Sequence, residues 1–262
     1  MITVSDILHY LNTIAPPSMK MDWDNVGLLC GSKSQAVTKV LVALDPFENV
    51  CQEAAAWGAQ LIITHHPLIF HPLKSVTDET ETGRCIQLLC RHGISAINAH
   101  TNLDCAPDGV NDHLAQQLGL ENITVIDPMG TDEDGRSWGL LRQGEVAPQS
   151  MASFLQLVKE RLNCDGLRYV ECGPVRKVAV GGGACGGELF DAVRSGCDTF
   201  VTADVKYNQF HDAKMLGLNL IDAGHFHTEN PVVSLLAEKI AGAFPDISVK
   251  ISESHGESMK YY

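Results

Sequence analysis

The segment Leu61-Ile62-Ile63-Thr64-His65-His66-Pro67-Leu68-Ile69-Phe70-His71-Pro72 (residues 61–72) decides the fold class. Leu61–Ile63 reads as an apolar strand that ends at Thr64. Pro67 has no amide hydrogen and disfavours helix in the residue before it, so no helix starts at once. His65 and His66 therefore stand in a loop at the carboxyl end of a strand, where open α/β sheets place their ligands. Side chains of neighbouring strand residues point to opposite faces, so this adjacent pair is expected to suit two metal ions better than one.

Outward from this point, apolar strand-like runs and amphipathic runs alternate along the chain, the pattern of an α/β fold. An opening helix with Ser5 as its cap and a stripe of Ile7, Leu8 and Leu11 precedes strands near 26–30 and 40–44. A helix at 47–57, the strand at 60–64, a helix at 82–92, a strand at 94–99, a helix at 109–118 and a strand at 123–126 follow. Asp127–Ser137 has the composition of a linker or long loop. A strand at 138–142 then leads into a second run of helix, strand, strand, helix, strand, helix, strand, helix and strand, ending at 247–251. The expectation is two similar α/β domains related by internal duplication, residues 1–127 and 128–262, with a site in the cleft between them.

Two further strand ends carry ligand types. Ile97-Asn98-Ala99-His100 continues to Asp104, and Ile221-Asp222-Ala223-Gly224-His225 continues to Glu229, with the same spacing of four. Both follow the fourth strand of their half. Thr202-Ala203-Asp204 follows the third strand of the second half, as His65 and His66 follow that of the first. Loops that meet about a pseudo-twofold axis would bring these groups together. Imidazole and carboxylate donors without thiolate suit Zn, Mn, Fe, Co or Ni without selecting among them. Glu229 also reads as a cap or first-turn residue of the helix that contains Pro231.

Composition narrows the partners. The chain has 262 residues, 45% of them hydrophobic, and a net charge of −13. So acidic a surface disfavours nucleic acid, favours cations, and carries no basic patch. The nine cysteines contain no C-x-x-C pair and read as reduced cytosolic thiols, most of them small core residues. No basic, apolar leader and no run of about 18 apolar residues is present, so a soluble cytoplasmic protein is expected.

The motifs WDNVGLLCG (23–31), THHPLIF (64–70), AHTNLD (99–104), GVNDHLAQQLGL (109–120), VAVGGGAC (178–185) and GHFHTE (224–229) together closely resemble the Nif-three-like family. Its members are often labelled GTP cyclohydrolase I type 2 homologues. The resemblance covers nearly the whole chain and fits the short form, since Asp127–Ser137 leaves no room for the domain that the long form inserts. It implies a ring-shaped homohexamer with metal pairs facing an inner cavity. It implies His65, His66, Asp104, His225 and Glu229 as ligands of two divalent ions per chain, with Glu229 bridging. His100 and Asp204 would line the site. The family usually has Thr-Gly-Glu where this chain has Thr202-Ala203-Asp204, so the acid is kept but one methylene shorter.

The expected function is a dinuclear metal-dependent hydrolase of a small molecule such as a nucleotide, acting through a metal-bridging hydroxide, with His100, Asp204 and His227 moving protons. The label implies GTP ring opening; phosphoester or amide hydrolysis would use the same ligands. The alternative is a non-catalytic hexameric metal-binding or scaffold protein. Gly181-x-Gly183-x-x-Gly186 matches a dinucleotide fingerprint but comes two strands too late for a Rossmann domain, and is read instead as a tight turn whose amides touch a phosphate. Asn25 and Asp45 are strand-end residues that line the cleft or cap turns, and Trp23 is read as packing.

Overall fold

The computed structural model of the chain describes residues 1–262. In chain order the elements are α1 (Val4–Ile14), β1 (Gly27–Cys30), β2 (Lys39–Ala43), α2 (Glu48–Trp57), β3 (Leu61–Thr64), α3 (Glu81–His92), β4 (Ser95–Asn98), α4 (Thr101–Cys105), α5 (Val110–Gln117) and β5 (Glu121–Ile126). There follow β6 (Gly130–Thr131), β7 (Ser137–Trp138), β8 (Leu141–Gln149), α6 (Met151–Leu162), β9 (Arg168–Val170), β10 (Val175–Val180), α7 (Leu189–Arg194) and β11 (Thr199–Thr202). The chain closes with α8 (Tyr207–Leu216), β12 (Asn219–Asp222), α9 (His225–Glu229), α10 (Pro231–Ala243) and β13 (Ser248–Ile251). The protein is thus mixed α/β, as its alternating pattern predicts. No helix is long and apolar enough to cross a membrane.

The chain forms two compact units. The first comprises Met1–Leu103 and Val232–Gly256. Its sheet has the order β1-β4-β3-β2-β13; β13, β2, β3 and β4 run parallel and β1 runs antiparallel to β4. One face packs on α2 and α3 through Leu41, Ala43, Ile62, Val50, Cys51 and Leu89. The alternate residues Val40, Val42, Leu61 and Ile63 are also buried, so the strands are covered on both faces, as parallel sheets require.

The second unit comprises Asp104–Pro231 and Glu257–Tyr262. Its sheet has the order β5-β8-β10-β11-β12-β9. β10, β11 and β12 are parallel, β9 is antiparallel to β12, and β8 is antiparallel to β10. The run β9-β12-β11-β10 therefore has the order and sense of β1-β4-β3-β2. The register matches too. Thr64 at the end of β3 pairs with Asn98 at the end of β4, and Thr202 at the end of β11 pairs with Asp222 at the end of β12. The carboxyl ends are level in each sheet, so the loops that leave them are neighbours.

Several expectations change. These units do not follow a cut at residue 127: α5 and β5 belong to the second unit and β13 to the first. A strand joins the edge whose amides and carbonyls it can satisfy, and β5 pairs with β8 while β13 pairs with β2. The cap of α1 is Thr3, which exchanges hydrogen bonds with Asp6, and not Ser5. The stretch expected as a linker or long loop, 127–137, holds β6 and the start of β7, which pair as a short ladder. Glu229 closes the short helix α9, and α10 begins at Pro231, so Glu229 does not cap the later helix.

Candidate metal centre

In the first unit, His65 and His66 leave β3 as the sequence predicts, but their rings do not diverge. The centroids lie 5.1 Å apart. The reason is local: the Thr64 hydroxyl donates to the His66 carbonyl at 2.6 Å, and the His66 amide donates to Leu44 at 2.9 Å, so the chain has already turned out of the extended conformation in which side chains alternate. His100, two residues beyond β4, joins them. One ring nitrogen from each of His65, His66 and His100 lies within 4.8 Å of the others.

Each ring is held from behind. His65 Nδ1 lies 2.9 Å from the Ala99 carbonyl, His66 Nδ1 lies 2.6 Å from Asp45 Oδ1, and His100 Nδ1 lies 2.8 Å from Asp24 Oδ1. These oxygens only accept, so Nδ1 carries a hydrogen, and whenever the ring is neutral its lone pair is on Nε2. Carboxylate or carbonyl backing of this kind orients metal-binding and proton-moving histidines. Burial pushes the Asp24 carboxyl up, but hydrogen bonds from His100 and Thr101 outweigh it and hold Asp24 down to about 2. Asp24 is not among the site residues expected from the sequence, and its signal there is its place in the motif WDNVGLLCG at 23–31. Asn25 does not point at the histidines: its side chain donates to the Ile69 carbonyl at 2.7 Å. Trp23, read as packing, is exposed.

In the second unit, Asp104 on α4 and Glu229 at the end of α9 are 6% and 3% exposed, and a carboxylate oxygen of one lies within 4.8 Å of one of the other. Helical spacing puts His225 on the same side of α9 as Glu229, with Nε2 3.0 Å from Glu229 Oε2. His225 Nδ1 lies 2.7 Å from Asp204 Oδ2. With the hydrogen on Nδ1, the Nε2 lone pair and a carboxylate oxygen face each other, an arrangement that needs a proton or a cation between them. Asp204 thus backs His225 as Asp45 backs His66. His227 turns inward: it is buried and its Nε2 has no hydrogen-bond partner.

The glycine run after β10 makes room for these groups. Gly183 has φ +61, and a Cβ there would lie 2.1 Å from Glu229 Oε1. Its amides are not free to take a phosphate: Gly181 donates to Val201, Gly182 to Asn111 Oδ1 and Gly183 to Thr228 Oγ1. The Asn111 side chain also donates to the Asp104 carbonyl at 3.2 Å. Arg142, 1% exposed, pairs with both oxygens of Asp112 and donates to the carbonyls of Cys105 and Ala106, fixing the segment that follows Asp104. The buried Cys185 thiol is pushed well above its ordinary range by burial and by the charges of Asp104 and Glu229. All nine cysteines are free thiols.

A model of the Duf34/NIF3 family (NGG1p interacting factor 3) matches residues 2–258. The chain belongs to the Duf34/NIF3 family. Relatives in it are named GTP cyclohydrolase 1 type 2 homolog. The protein of that name from Clostridium perfringens is 36% identical, with 90% of each chain covered. That from Lactococcus lactis is 34% identical over 99% of this chain and 98% of its own. The crystal structure of a Staphylococcus aureus protein is 30% identical, with a TM-score of 0.90 over 100% of this chain and 99% of that one. A Bacillus cereus protein described as related to NIF3 gives a TM-score of 0.91 at 26% identity, over 100% of this chain and 99% of that one. The two solved structures share the fold of this chain over its whole length, at 30% and 26% identity.

Proposed function

We propose that this Duf34/NIF3 protein is a dinuclear metal-dependent hydrolase in which His65, His66, Asp104, His225 and Glu229 hold two divalent cations. The observation that carries the reading is the pair Asp104 and Glu229, both buried, with carboxylate oxygens within 4.8 Å of one another. Two ionised carboxylates so close, away from water, repel strongly, and a divalent cation removes that repulsion. The Nε2 of His225 facing Glu229 adds a second reason, and the backed Nδ1 atoms of His65, His66 and His225 add a third. The oxygen and nitrogen donors suit Zn, Mn, Fe, Co or Ni.

When bound, such a cation pair supplies Lewis-acid polarisation of a phosphoryl or carbonyl oxygen and makes water acidic near neutral pH. The chain's own residues do the remaining work. His100, fixed through Nδ1 to Asp24, gives or takes a proton at Nε2. Asp204 is a positioning residue that sets the tautomer of His225. The relatives' name points to a nucleotide-like small molecule, with GTP ring opening, phosphoester cleavage and amide cleavage all within reach of the same donors. We extend the proposal to a homohexamer, for which the exposed Phe190, Tyr207 and Met215 of α7 and α8 supply apolar surface.

The test is to load the protein with Mn, Zn or Fe, measure metal content and an anomalous scattering map, and screen phosphoesters, amides and GTP. We expect two ions per chain and turnover with at least one metal, both lost in Glu229→Ala with circular dichroism unchanged. Stoichiometric binding without turnover would leave a metal-binding protein. Failure to bind any metal would remove the reading altogether.

A further inference from the structure

Trp23 is 61% exposed and Phe70 is 42% exposed. Their rings touch edge to face, with centroids 5.8 Å apart at 68°. Both also meet His100, Trp23 at 6.2 Å and Phe70 at 6.1 Å. The topology explains the meeting. Phe70 lies in the loop that leaves β3. Trp23 precedes β1, and β1 runs antiparallel to β4 with Gly27 opposite Asn98, so the start of β1 lies at the carboxyl ends of the parallel strands.

These rings are held in place. The Asn25 side chain ties its own segment to the Ile69 carbonyl at 2.7 Å, one residue from Phe70. Asp24 binds the His100 ring at 2.8 Å and the Thr101 amide at 3.0 Å, fixing the residue next to Trp23. Neither aromatic ring contributes to the hydrophobic core beneath α2 and α3. An indole kept in water is unfavourable for folding alone, since its apolar area stays hydrated. An edge-to-face contact anchors a ring while leaving a face open, and an open, anchored face is what a planar π-system stacks on.

We infer that Trp23 and Phe70 form a stacking platform for a planar heteroaromatic ring of the substrate, of the size of a nucleoside base, placed beside His100. This rests on the hydrolase reading for its purpose, and it specifies the substrate class of that site. Stacking reads the face of a ring and not its edge, so adenosine and guanosine are both accepted, and ribose without a base is not.

Equilibrium dialysis of guanosine, adenosine and ribose against the full chain, metal-free and metal-loaded, tests it. Both nucleosides should bind and ribose should not. Trp23→Ala should weaken nucleoside binding by about tenfold or more, the scale of one lost base–aromatic stack, while Trp23→Phe retains most of it. Metal content of Trp23→Ala should equal that of the parent. Equal nucleoside affinity in Trp23→Ala and parent, or no nucleoside binding to the parent, overturns the platform even where metal-dependent turnover of a non-aromatic phosphoester persists. A change of oligomer size in Trp23→Ala, read by light scattering, also overturns it, since it would make Trp23 a contact between copies. Loss of metal binding with the nucleoside results intact would instead sink the hydrolase reading alone.

Discussion

The carboxyl ends of the two sheets use one strand plan for opposite chemistry. In the first unit the ends of β3 and β4 present three imidazoles, with carboxylates behind two of them at Asp24 and Asp45. In the second unit the corresponding ends present the buried carboxylate of Glu229 and one imidazole, His225, with Asp204 behind it. The loop after β2 carries Asp45, which backs His66, whereas the loop after β10 carries Gly182 and Gly183, which clear space for Glu229. By register His66 corresponds to Asp204, and His100 to Gly224, with His225 one residue further on. The difference is one of charge. Imidazoles in their neutral form can be gathered at little electrostatic cost, whereas paired buried carboxylates repel unless a proton or a cation lies between them, so on the proposed function the second unit is where metal binding would be decided.

The sharpest way to break that contrast is at the glycine. Gly183→Ala places a methyl group against Glu229 and forces a non-glycine residue to φ +61. We expect metal binding to fall by at least about a hundredfold, beyond the ~10–100-fold typical of indirect effects, and stability to fall by roughly 1–2 kcal/mol from the left-handed backbone. Metal titration by calorimetry and a thermal melt check both. Metal binding at the parent level in Gly183→Ala would show that Glu229 is not a ligand.

Next in size are the carboxylates behind the rings. Asp204→Asn should weaken metal affinity by roughly 10–100-fold, because His225 loses its fixed tautomer, whereas Asp24→Asn should leave metal affinity near the parent value and lower kcat, because the proposed function gives His100 the proton transfer. Equal effects of the two substitutions on metal affinity would erase the distinction between ligand backing and proton-carrier backing.

The smallest expected effect is in acid. Asp24 sits at about 2, below an ordinary carboxyl at 3.8, so the stability it lends is complete above about pH 4 and is lost as pH falls through about 2. Asp24→Asn should flatten that limb of the stability curve, by about 1–3 kcal/mol for hydrogen bonds to a charged group. Urea melts between pH 5 and 2 measure it; an unchanged slope would mean that the His100–Asp24 pair does not act in the folded state.

Much of this was legible along the chain. Strand runs such as Leu61–Ile63, the break at Pro67 and the alternation of elements determined an α/β fold and placed His65, His66, His100, Asp204 and His225 at strand ends, because local sterics and periodicity act within a few residues. What only the tertiary structure decided was non-local. Hydrogen-bond demand at open sheet edges moved β5 and β13 into units other than the halves in which they were synthesised. Asp24 reached His100 across 76 residues, and Gly183 made way for Glu229, because packing and charge are settled by neighbours in space.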